Sequence, residues 1–96
     1  MMMEIQVLPD PAGTAHDTYA YIDAAIDVIV ESGLVYDVGP LGTCVEGTAD
    51  DLWRLAREVH EATLHAGARQ VVSIIKMADV PGPASSMSAL TARYRR

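Results

Sequence analysis

Cysteine is nearly missing from this chain of 96 residues: Cys44 stands alone. One thiol excludes an intrachain disulfide, and it excludes zinc or iron–sulfur sites built from several cysteines of one chain. Basic residues are scarce too, with 7 Lys and Arg against 13 Asp and Glu and a formal net charge of -6. Such a field repels a phosphate backbone at long range, so no nucleic-acid partner is expected. Aromatic residues make up 5% of the chain, too few for the stacking surface that sheet-based RNA recognition uses. No run approaches the roughly 18 consecutive apolar residues of a bilayer span. MMMEIQVLP, at the start, has neither the basic n-region nor the long apolar stretch of a secretory signal. The expectation is a cytoplasmic protein with no membrane partner.

What remains is apolar and small. Hydrophobic residues are 50% of the chain, which calls for a packed core, and a chain of this length supports a single one. A domain so short buries a modest share of its surface, so association with further copies is the expected source of extra stability.

The run Met3 to Leu8 alternates Glu4 and Gln6 with Ile5 and Val7, the period of a strand with one buried face. PDPAG ends it. From Ala15 to Ser32, Tyr19, Ile22, Ile26 and Ile29 recur at helical spacing, with Thr14 as the expected cap and Gly33 as the stop. Leu34 to Val38 and Thr43 to Gly47 read as two short strands folded back across Gly39, Pro40, Leu41 and Gly42. Thr48 with Asp51 opens a second helix that runs to about Ala66, buries Leu52, Leu55, Ala56, Val59 and Thr63, and stops at Gly67. QVVSIIKM, Gln70 to Met77, is the last strand. PGP at Pro81 to Pro83 breaks the chain, dividing a domain over residues 1–80 from a tail over 81–96. The tail has Met87, Leu90 and Tyr94 at helical spacing, and its terminal arginines read as solvated.

Strand, helix, strand, strand, helix, strand is the α+β, ferredoxin-like βαββαβ plan, a four-stranded antiparallel sheet with two helices on one face. That plan leaves the opposite face bare. With Ile5, Val7 and Val45 turned toward the helices, Glu4, Gln6, Leu8, Cys44 and Glu46 fall on the bare face. The same alternation assigns Val72 and Ile74 inward and Val71, Ser73 and Ile75 outward. A bare face of this kind is where a ligand or a second subunit is expected.

Glu46 is the most informative side chain there, because a carboxylate on a mid-sheet strand needs a partner. Solvation or pairing across subunits explains it as well as a ligand does, and a salt bridge explains Lys76. Asp23, Asp27 and Glu31 form a like-charge stripe on the first helix, best read as solvated. Trp53, Arg57 and His60 lie side by side on the second, as a subunit contact would. His16 and His65 have no ligand spacing, so no metal is expected. No serine has an identifiable His and Asp partner, and no glycine-rich phosphate loop is present. Cys44 has no His near it in sequence and reads as a small core hydrophobe. Neither an enzyme nor a cofactor is expected.

The strand ending in Pro9, ESGLVYDVGPLGTCVEG, HEATLHAGARQVV and SIIKM together resemble the small thiamine-binding, YkoF-like family, over roughly Glu4 to Ala78. Gly39, Pro40, Gly42, Thr43, Glu46 and Gly47 carry most of the likeness. The resemblance implies a ferredoxin-like domain that associates through its open sheet into dimers or tetramers. It also implies a cytoplasmic protein that binds thiamine, or its hydroxymethylpyrimidine portion, without catalysis. The aminopyrimidine needs donors and acceptors, its ring needs a stacking partner, and the thiazolium cation attracts acidic groups. On this reading Thr43 and Glu46 supply polar contacts, Tyr36 stacks, and Asp37 faces the cation. Thr43 and Glu46 fall on opposite faces of an ideal strand, so a ligand touches both only near the turn or at a bulge. The alternative is an oligomeric structural or metabolite-sensing regulatory module with another ligand.

Overall fold

The computed structural model describes residues 1–79 and 86–95, and the PGP break with the domain boundary beside it lies outside them. The elements are β1 (Met2–Asp10), α1 (Ala20–Glu31), β2 (Val35–Val38), β3 (Thr43–Glu46), α2 (Ala49–Ala66), β4 (Gln70–Ala78) and a short α3 (Met87–Thr91), followed by a single 3-10 turn at Ala92–Tyr94. The strands form one antiparallel sheet in the order β2-β3-β1-β4. This is the ferredoxin-like arrangement.

One sheet face and two helices make the core. Met3 and Ile5 from β1 and Val45 from β3 pack with Ala25 and Ile29 of α1 and with Leu52, Leu55, Ala56 and Val59 of α2. In α2 the buried set is Leu52, Leu55, Ala56, Val59 and Thr63, the stripe that a 3.6-residue period puts on one side. Its start is fixed by the Thr48 side chain, which accepts the Asp51 N–H at 3.2 Å. Its end is fixed by Gly67, whose φ of 135° suits a residue without a Cβ. A Cβ there would also stand 2.7 Å from the Tyr21 hydroxyl.

The first helix begins later than its apolar spacing predicts. It starts at Ala20, and Thr14 caps a tight turn before it: its Oγ1 accepts the Asp17 N–H at 3.0 Å. Tyr19 is the residue before the helix and is exposed; Ala25 and Ile29 are its buried positions. The four residues between Thr14 and Tyr19, Ala15 to Thr18, are used to close that turn, because local side-chain hydrogen bonds compete with helix for the backbone.

The last strand faces the other way from the alternation assigned to it. Ile5, which is buried, is the cross-strand partner of Ile75, and Val7 is the partner of Ser73, so Val71, Ser73 and Ile75 point toward the helices and Val72 and Ile74 away. The run is apolar on both faces and carries no periodic signal. Ser73, the one polar residue between Val71 and Ile75, turns inward, where its Oγ lies 2.5 Å from His60 Nδ1 on α2.

The open face is also not wholly bare. The C-terminal segment, Ser86 to Arg95, lies against its β2–β3 side, and this corrects the expectation of an uncovered sheet, while the end of that segment, Ala92 to Arg95, is exposed as expected. The β1–β4 side keeps Leu8, Val72 and Ile74 exposed at 46%, 59% and 49%.

Candidate functional site

Cross-strand partners project their side chains from the same sheet face, and one row of them runs across all four strands. Glu4 is paired with Cys44 on one side and Lys76 on the other, and Cys44 is paired in turn with Asp37. Lys76 Nζ lies 3.4 Å from Glu4 Oε1. The Cys44 thiol donates to Glu4 Oε2 at 3.9 Å. At the far end Arg95 Nη2 lies 2.6 Å from Asp37 Oδ2. The row therefore alternates cation, carboxylate, thiol, carboxylate, cation. The next row toward the sheet end is Val35, Glu46, Met2 and Ala78.

The C-terminal segment roofs part of these two rows. Ser86 caps α3 by accepting the Ala89 N–H at 3.1 Å, and the next residue, Met87, donates its own N–H to Glu46 Oε1 at 3.4 Å. Between segment and sheet lies a cleft of about 650 Å³. Its floor is Met2, Val35, Asp37, Cys44 and Glu46, and its roof includes Met87, Leu90, Thr91 and Arg95. The walls are thus mainly apolar, with two carboxylates set among them. A volume of this order, roughly 300–1,000 Å³, is usual for small-molecule sites.

A second crevice, of about 190 Å³, lies on the helix side beneath the β2–β3 turn, between Ile5, Ile22, Ile26, Leu41 and Thr43. It is too small for most metabolites by the same measure. Its turn is closed by the Gly39 N–H donating to the Gly42 carbonyl at 2.9 Å. A Cβ on Gly39 would sit 2.9 Å from that oxygen, so close approach, and not a left-handed backbone, accounts for glycine there.

The four residues chosen from sequence are divided between these places. Asp37 and Glu46 share the open face and the larger cleft. Tyr36 borders the same cleft on the edge strand, 40% exposed, although its cross-strand partner Val45 faces the core. Thr43 is 4% exposed and lines the small crevice. No bulge interrupts β3, so Thr43 and Glu46 keep the opposite faces that period two gives them. The tail residues Met87, Thr91 and Arg95 escaped the sequence reading as site residues. The signal was the Met87, Leu90 and Tyr94 spacing together with arginines ending an acidic chain.

Burial pushes the Cys44 thiol above its ordinary range, and the charges of Glu4 and Asp37 push the same way, while Arg95 opposes them and the hydrogen bond to Glu4 adds to the rise. The site thus holds its sulfur protonated. Among the described residues no group of three or more His, Cys, Asp or Glu is placed to hold a metal ion, and no helix is long and apolar enough to cross a membrane.

Residues 3–95 match the model of a family described as thiamine-binding protein. A UPF0045 protein of Clostridium perfringens is 30% identical over 93 residues, covering 97% of this chain and 95% of its own. Among solved structures, a domain of unknown function, DUF77, from Bacillus cereus superposes with a TM-score of 0.85 at 31% identity, over 98% of this chain and 88% of the other. A protein of Thermotoga maritima named as a thiamine biosynthesis/salvage protein gives a TM-score of 0.75 at 26% identity, over 98% and 97% of the two chains.

Proposed function

The chain belongs to the thiamine-binding protein family, and we propose that it is a non-catalytic binder of thiamine or its hydroxymethylpyrimidine portion, working as a homo-oligomer. The observation that carries the proposal is the open-face cleft of about 650 Å³ with Asp37 and Glu46 in an otherwise largely apolar lining. Thiamine has matching parts. Its thiazolium cation suits a field of carboxylates, its aminopyrimidine offers donors to an acceptor such as Glu46, and its flat rings suit Met2, Val35, Met87 and Leu90. Tyr36 stands at the rim, where a ring can stack. Thr43 contributes from the other side of the sheet by packing, not by touching this ligand.

Self-association belongs to the other half of the same face. Leu8 and Val72 are direct cross-strand partners, with Ile74 one row further on, and these exposed apolar side chains form a patch on a small acidic domain. A second copy is the occupant proposed for it.

Calorimetry with thiamine and with hydroxymethylpyrimidine tests the binding reading. Heat of binding and a raised melting temperature are expected with at least one of them, since a ligand of the folded state stabilises it. No heat and no shift with either, near saturating concentration, would leave a structural or differently liganded module as the better account.

A further inference from the structure

The cleft already contains a cation, and that cation belongs to the chain. Arg95 reaches from the last described turn to Asp37, and their nitrogen and oxygen lie 2.6 Å apart. Asp37 sits on the edge strand β2, and Arg95 is distant from it in sequence. The same segment is attached a second time, through the Met87 N–H on Glu46. Both carboxylates of the cleft are therefore engaged by residues 86–95.

We infer that Arg95 is a specificity-determining residue: a tethered counter-ion that competes with a cationic ligand for Asp37 and so tunes the cleft toward uncharged ligands. The inference rests on the binding function proposed above. A thiazolium and a guanidinium carry the same sign and seek the same carboxylate, so a cationic ligand must displace Arg95 or sit beside it against repulsion. An uncharged pyrimidine meets neither cost. The pair is half in solvent, with Arg95 and Asp37 side chains 62% and 42% exposed, which keeps the effect modest and the exchange easy.

The test compares wild type, Arg95→Gln and Arg95→Lys by calorimetry with thiamine and with uncharged hydroxymethylpyrimidine. Arg95→Gln should tighten thiamine binding by about two- to fivefold relative to hydroxymethylpyrimidine, and Arg95→Lys should restore the wild-type ratio. Thiamine binding that is unchanged or weaker relative to hydroxymethylpyrimidine in Arg95→Gln, in a wild type that binds it, overturns the inference and leaves the thiamine function standing. If no variant binds either ligand, the thiamine function fails, and a ligand-free measurement then decides the tether. Nitrogen relaxation of residues 86–95 should show a looser segment in Asp37→Asn than in wild type, and identical relaxation would overturn the inference.

Discussion

Thr43 and Glu46 lie on one unbroken strand and face opposite sides of the sheet, Thr43 into the helix layer and Glu46 into the open-face cleft. The separation decides which can serve a ligand. Glu46→Gln should weaken thiamine binding about tenfold to a hundredfold, the range for a lost hydrogen bond to a charged group. Thr43→Val, nearly isosteric, should leave affinity within about twofold. Equal losses from the two substitutions would contradict the assignment of faces.

Cys44 is predicted to be a sluggish thiol. Its raised pKa lowers the thiolate fraction at any given pH, and thiolate is the nucleophile. Alkylation of native protein at mildly alkaline pH should be slower than alkylation of the unfolded chain, and Glu4→Gln should speed it by removing a nearby negative charge. The sign for stability follows from the same shift. The folded state holds the proton more firmly than the unfolded state, so this contribution is complete below the unfolded thiol's range and is lost as pH rises through the folded one. A native thiol that reacts as fast as the unfolded one would contradict the geometry.

Stability should report the core and the caps separately. Leu52, fully buried in the central cluster, should cost about 2–5 kcal/mol on substitution by Ala. Thr48→Ala should cost about 1 kcal/mol through the lost α2 cap. Denaturant titration measures both, and a smaller loss at Leu52 than at Thr48 would contradict the packing described.

Self-association should depend on the β1–β4 patch and not on the cleft. Ile74→Asp places a charge beside Leu8 and Val72 and should shift the mass measured by light scattering toward the monomer. Arg95→Gln should leave it unchanged. An Ile74→Asp protein with the wild-type mass would move the interface elsewhere.

The parts legible in the sequence were those where several local signals agreed. In α2, a cap at Thr48, a 3.6-residue apolar stripe and a glycine stop all point to one helix, and the structure has it. The β2–β3 hairpin was equally plain, with two apolar runs either side of Gly39 to Gly42. Signals failed where they were local and ambiguous. Thr14 reads as a helix cap but closes a turn. Val71 to Ile75 is apolar at nearly every position, so its facing is set by the distant hydrogen bond of Ser73 with His60. Asp37 and Glu46, which line the cleft, were legible as candidates because carboxylates on strands stand out. The roof was not, because pairing Arg95 with Asp37 and Met87 with Glu46 depends on contacts between the chain's end and its middle, which no short-range spacing encodes.

The most direct test of the account is where thiamine lands. Titrating isotope-labelled protein with thiamine and following backbone amide shifts should move Asp37, Cys44, Glu46 and the segment from Met87 to Arg95, with Leu41 and Thr43 little affected. Shifts confined to the crevice around Ile22, Leu41 and Thr43, or none near saturating ligand, would contradict it.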